Sequence, residues 1–128
     1  MTIIGITGNM GSGKSTLASY LVDKYNYTEY AIAGPLKQIA MIFGFTAHEV
    51  YEDKTLISPK LGITAREFLQ KFGTDIVRDQ FKTFFPNTPL STESQWIRLT
   101  KEFITDHKHL DIVCSDIRFE DEIGRAHV

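Results

Sequence analysis

Gly8-Asn9-Met10-Gly11-Ser12-Gly13-Lys14-Ser15 fits the pattern G-x-x-x-x-G-K-[ST], and each fixed position has a physical task. Glycines let successive backbone N–H groups curl inward around phosphate oxygens, in dihedrals that a side chain penalises. Lys14 brings a positive charge to the β- and γ-phosphates, and the Ser15 hydroxyl suits a magnesium ion. A helix that follows adds its N-terminal partial charge at the same place.

The flanks supply the context that this motif requires. Thr2 to Thr7 is a short β-branched run that reads as a buried parallel strand. Leu17, Ala18, Leu21, Val22 and Tyr25 then recur at helical spacing. The alternative is a plain Gly/Ser-rich turn, and by chance the pattern arises in roughly one chain of this length in several hundred. A dinucleotide fingerprint fits less well, because Gly11-Ser12-Gly13 is followed by Lys14, Ser15 and Thr16 where a third glycine is needed. The stretch from Gly8 to Thr16 therefore reads as a triphosphate-binding loop.

Composition narrows the class. At 128 residues, 42% hydrophobic and 23% charged, the chain suits one soluble globular domain. A net charge of −2 argues against a broad basic face for nucleic acid. Cys114 is the single cysteine and has no internal disulfide partner. No secretory or membrane-spanning stretch is evident, so a reducing cytoplasm is the expected setting.

Further along, Tyr27 to Ala33 alternates and reads as a second strand. Gly34-Pro35 starts a helix carrying Leu36, Ile39, Ala40 and Phe43, and Gly44 is placed to end it. Lys37, in its first turn, reads equally as a surface lysine or as a ligand beyond the strand's carboxyl end. Glu52–Gly62 and Pro86–Thr92 read as loops. Thr64-Ala65-Arg66-Glu67 is a capping box, with Thr64 capping and Glu67 reaching back. Its helix bears Phe68, Leu69 and Phe72, and Gly73-Thr74-Asp75 is expected to interrupt it. Arg66 and Arg78 read by default as surface ion pairs, with phosphate binding the alternative.

Thr92-Glu93-Ser94-Gln95 is a second capping box, opening a helix with Trp96, Leu99 and Phe103 on one stripe and Ile97 and Ile104 beside it. Trp96 on that spacing is core, or else a plate for stacking a base. Leu110 to Asp116 reads as a third parallel strand ending in a carboxylate that suits magnesium. Arg118, two residues on, suits anions at the same edge. His107 and His109 have no companions at metal-ligand spacing.

Taken together, several blocks resemble the deoxynucleoside monophosphate kinases of phages and large viruses. They are Gly8–Thr16, Ala33–Lys37, Ala65–Asp75, Trp96 and Asp116–Phe119, in the family's order. The fold this implies is α/β: a P-loop NTPase three-layer sandwich, with helices on both faces of a parallel sheet. It is one domain over residues 1–128, with substrate-binding helices inserted at about 35–108. The resemblance implies that Gly8, Asn9, Met10, Gly11, Ser12, Gly13, Lys14, Ser15 and Thr16 hold ATP. Gly34, Lys37, Arg66, Gln70, Gly73, Thr74, Arg78 and Trp96 would line the monophosphate site. Lys14, Arg66, Asp116 and Arg118 would be catalytic, with Ser15 and Asp116 toward Mg2+.

The reaction implied is transfer of the γ-phosphoryl of ATP to a deoxynucleoside 5′-monophosphate. The acceptor oxygen is already anionic near neutral pH, so alignment and charge neutralisation carry the catalysis. Rival readings are a kinase acting on dephospho-coenzyme A or phosphomevalonate, or a nucleotide-hydrolysing switch. The switch fits poorly, because no Asn-Lys-x-Asp guanine-reading motif is present. The expected partner is a small nucleotide, with no nucleic acid and no membrane, in the host cytoplasm for a viral or phage chain. A homodimer is left open. Only ten residues follow Arg118, too few for another parallel crossover, so the fold is expected to be truncated at its C-terminus.

Overall fold

In the computed structural model, β3 (Ile112–Cys114) runs between two parallel neighbours, β1 (Ile3–Gly5) and β2 (Thr28–Glu29), giving the order β1-β3-β2. The described residues are 2–6, 13–92 and 94–116. They divide into two compact units: a sheet unit, of residues up to Ala33 and from Trp96 onward, and a helical unit, Gly34–Gln95.

In the sheet unit, β3 is inaccessible along its whole length, as a central parallel strand requires. Its side chains alternate between the two faces. Ile112 and Cys114 join Ile32, Ile97 and Ile104, so that face packs on α6 (Gln95–Asp106). Val113 joins Ile6 and Ala18 on the other face, under α1 (Lys14–Tyr25). The sheet is thus sandwiched between helices. Register is set by Ile3 opposite Ile112, Gly5 opposite Cys114 and Glu29 opposite Val113.

Each strand is shorter than the sequence pattern suggests. The second, expected over 27–33, is a ladder only at Thr28–Glu29, extended by one bond from Tyr30 N–H to the Val113 carbonyl. It stops because the N–H groups of Ile32 and Ala33 turn to a side chain, Asp116. On α6 the buried stripe is Ile97, Thr100 and Ile104, with Trp96 and Phe103 half-buried beside it, rather than Trp96, Leu99 and Phe103. Spacing alone cannot tell the centre of an apolar stripe from its margin.

The helical unit begins with α2 (Gly34–Phe43). Gly44 ends it with φ 127, and its N–H reaches the Met41 carbonyl. A capping box that the sequence reading missed follows at once. Glu49 Oε1 accepts from the Thr46 N–H at 2.8 Å, and the Thr46 hydroxyl accepts from the Glu49 N–H at 3.2 Å. This reciprocal pair opens a wide turn at His48–Glu52 and accounts for a buried glutamate at position 49.

Thr64 caps α3 (Ala65–Gln70) as expected, accepting from the Glu67 N–H at 3.1 Å. Glu67, however, pairs outward with Lys71 at 2.9 Å instead of reaching back. Gly73-Thr74-Asp75 does not break this helix. It lies inside wide π-type turns, Lys71–Gln80, that lead into α4 (Phe81–Phe84). A Cβ on Gly73 would sit 2.7 Å from Leu36 Cδ2, so the glycine admits the leucine beside Lys37 rather than ending a helix. The second expected capping box also differs. Thr92 closes the short α5 (Pro89–Thr92), Glu93 lies outside the described residues, and Gln95 donates its side-chain amide to the Pro89 carbonyl at 2.9 Å.

Candidate functional site

Gly13 is the hinge between loop and helix. Its φ of 88 is left-handed, and it caps α1 by accepting from the Leu17 N–H at 3.0 Å. A Cβ there would meet nothing, so glycine serves the backbone conformation and not a tight fit. Lys14 is the first helical residue and half-buried, while Ser15 and Thr16 in the same turn are exposed. Gly8, Asn9, Met10, Gly11, Ser12 and Arg118 lie outside the described residues.

Asp116 stands at the same carboxyl edge of the sheet. The Ile6 N–H bonds the Cys114 carbonyl at 2.8 Å just before the glycine loop starts, and Asp116 is two residues past Cys114. Each of its carboxylate oxygens accepts one backbone N–H, from Ile32 and from Ala33, both at 2.9 Å. Register explains the pairing: Glu29 is opposite Val113, so Ile32 comes level with Asp116 three residues later. The sequence marked Asp116 for magnesium and gave no signal of this clamp, because the clamp depends on a pairing between distant strands.

The carboxylate's charge is felt nearby. Burial, aided by Asp116 and Glu29, pushes the Cys114 thiol up to about 12. Tyr30 is also raised, chiefly by burial, with Asp116 a lesser cause. For magnesium, the donor set of one carboxylate and one exposed hydroxyl is chemically suitable. A carboxylate oxygen that accepts one N–H keeps a lone pair, and Mg2+ retains most of its waters. Trp96 packs against the core shared by Ile97 and Ile112, and its carbonyl accepts from the Thr100 hydroxyl. His107 stacks on Phe103, with its Nδ1 at 2.8 Å from that residue's carbonyl. Among the described residues no group of three or more His, Cys, Asp or Glu gathers as a metal site.

The helical unit carries the other candidates. Gly34 opens α2, and Lys37 in its first turn places Nζ 5.0 Å from the centre of the Tyr51 ring. Arg66, the second residue of α3, is exposed, and its N–H donates to the Lys54 carbonyl at 3.0 Å. Gln70, Thr74 and Arg78 are exposed and Gly73 is buried. Among the described residues the ion pairs are His48–Glu52, Glu67–Lys71 and Arg98–Glu102. Neither Arg66 nor Arg78 is in one, contrary to the default reading of both as surface pairs. Tyr51 escaped the sequence reading altogether, since a lone tyrosine in a polar stretch carries no local signal.

No family model matches the chain, and no solved structure matches it. A curated protein of Acanthamoeba polyphaga mimivirus, named "Putative deoxynucleotide monophosphate kinase", is 33% identical over 128 residues. The similarity covers 95% of this chain and 66% of that protein, so the chain spans a little under two-thirds of its relative's length. The resemblance drawn from the residues is therefore met by a large-virus protein of that name. No helix among the described residues is long and apolar enough to cross a membrane.

Proposed function

We propose that the protein transfers the γ-phosphoryl of ATP to a deoxynucleoside 5′-monophosphate, giving the diphosphate, on a P-loop NTPase fold. The observation that carries this reading is similarity to the mimivirus protein along 95% of the chain. It adds to a complete G-x-x-x-x-G-K-[ST] pattern between a parallel strand and a helix. The relative's name favours a nucleotide acceptor over dephospho-coenzyme A or phosphomevalonate.

In this reading Gly8–Thr16 cradle the ATP phosphates, and Lys14 neutralises charge on the transferring group. Ser15 and Asp116 would hold a magnesium ion, which would supply positive charge to offset that of the phosphates. Asp116 also holds the amides of Ile32 and Ala33, so the same carboxylate keeps the end of β2 in place. Lys37, Arg66 and Arg78 attract the acceptor phosphate; Gln70, Thr74 and Trp96 orient the rest of the monophosphate. No residue acts as a strong general base, because the acceptor oxygen is already ionised.

The test is a coupled assay with ATP and a panel of deoxy- and ribonucleoside monophosphates, with dephospho-coenzyme A and phosphomevalonate alongside. We expect diphosphate from at least one deoxynucleoside monophosphate. Release of inorganic phosphate alone, or turnover only of a non-nucleotide acceptor, would overturn the reading.

A further inference from the structure

Lys37 and Arg66 lie on different helices, yet one short segment bears on both. Tyr51 offers its ring to Lys37, with Nζ 5.0 Å from the centroid. Three residues later the Lys54 carbonyl accepts the Arg66 N–H at 3.0 Å. Between them, the Asp53 carboxyl is held below its usual range, mainly by hydrogen bonds from Thr55, with the charges of His48 and Arg66 adding to the effect.

The segment is also firmly presented. The Thr46–Glu49 capping box starts its turn, and the Asp53 N–H closes it on the His48 carbonyl at 2.9 Å. Glu49 and Val50 are buried on the inner side, so the next residue, Tyr51, is turned outward and is 52% exposed. Among the described residues its ring meets no other aromatic ring. The contact on its face is the lysine.

We propose that Tyr51 is a positioning residue of the acceptor site, its ring face holding the Lys37 ammonium where it meets the phosphate of the incoming monophosphate. This rests on the kinase reading above. The physical basis is the negative face of an aromatic ring, which attracts a cation without removing its charge. Such a contact narrows the conformations of a side chain rich in rotamers before binding.

The test measures KM for the best monophosphate and for ATP in the wild-type protein and in Tyr51→Phe, Tyr51→Leu, Lys37→Ala and the Tyr51→Leu/Lys37→Ala double variant. Tyr51→Leu should raise the acceptor KM by roughly two- to fivefold, the size of an exposed cation–ring contact, with the ATP KM and melting temperature unchanged. Tyr51→Phe keeps the ring face and should behave as wild type. In the Lys37→Ala background, Tyr51→Leu should add nothing. The role of Tyr51 is overturned if Tyr51→Leu leaves the acceptor KM unchanged in an active enzyme, or if its effect persists without Lys37. It is equally overturned if Tyr51→Phe is as impaired as Tyr51→Leu. A wild-type protein that phosphorylates no monophosphate fails differently: the kinase reading itself then falls, and this role with it.

Discussion

The sheet unit and the helical unit hold their candidate residues in opposite ways. In the sheet unit Asp116 is bound on both oxygens by backbone N–H groups, and the strand that delivers it is inaccessible to water. In the helical unit Arg66, Gln70, Thr74 and Arg78 stand exposed on helical turns, and Lys37 leans on a ring that is itself half open. The first arrangement fixes a charge through the backbone, at the cost of making the charge part of the fold. The second holds charges through side chains that can shift with the ligand. In the proposed reaction the donor phosphates are constant and acceptors differ in base, so a fixed donor edge and an adaptable acceptor side are chemically consistent.

Lys14 should break this comparison most sharply. It stands in the sheet unit but in the first turn of α1, with no ion pair of its own among the described residues. It should therefore act in catalysis without serving the fold. Lys14→Ala is expected to lower kcat by roughly a hundredfold or more, with thermal denaturation unchanged. Steady-state kinetics beside a melting curve checks both halves. Near-normal turnover in a folded variant would remove Lys14 from the reaction.

What the sequence disclosed follows the same division. The helix α1, the start of α2 at Gly34-Pro35 and the Thr64 cap were legible because their signals are local. Parallel pairing of the three strands was legible too, though not their length. The clamp of Asp116 on Ile32 and Ala33 was not, since it joins residues 84 and 83 positions apart. Gly73 misled for a related reason. A glycine within a helical pattern reads as a break, whereas here it admits Leu36 from another helix. The Thr46–Glu49 box had a legible local pattern and was simply not read.

Asp116 gives the next largest effect, and it separates a structural carboxylate from a purely catalytic one. Asp116→Ala leaves two part-buried N–H groups without their acceptor, which should cost about 1–3 kcal/mol of stability. Asp116→Asn retains one acceptor oxygen but turns an NH2 toward the second N–H, so it should fall between alanine and wild type. Chemical denaturation of the three proteins gives the order. Magnesium titrations of turnover then show whether the ion's effect is lost as well. If both variants are as stable as wild type, the clamp contributes nothing and the contrast between the units disappears.

The smallest effect tests how closed the sheet unit is. Cys114 lies on the central strand with no exposed surface, and burial raises its thiol pKa to about 12 from 9.0. A group whose pKa is higher in the folded state favours folding while it stays protonated. That contribution is complete below pH 9 and declines as pH rises toward 12, because only the unfolded chain ionises readily there. The loss is at most about 1.4 kcal/mol for each pH unit above 9. Cys114→Ala removes this titration, so the difference in stability between wild type and variant should shrink as pH rises above 9 and stay constant below it. Tyr30, also raised chiefly by burial, contributes an alkaline loss to both proteins, a smaller one in the variant because the Cys114 charge adds to its shift. Native Cys114 should also resist a thiol reagent at pH 8 until denaturant is added. Rapid labelling in the folded protein, or a difference that does not change between pH 7 and pH 11, would mean that the sheet unit opens as readily as the exposed turns that carry Arg66 and Arg78.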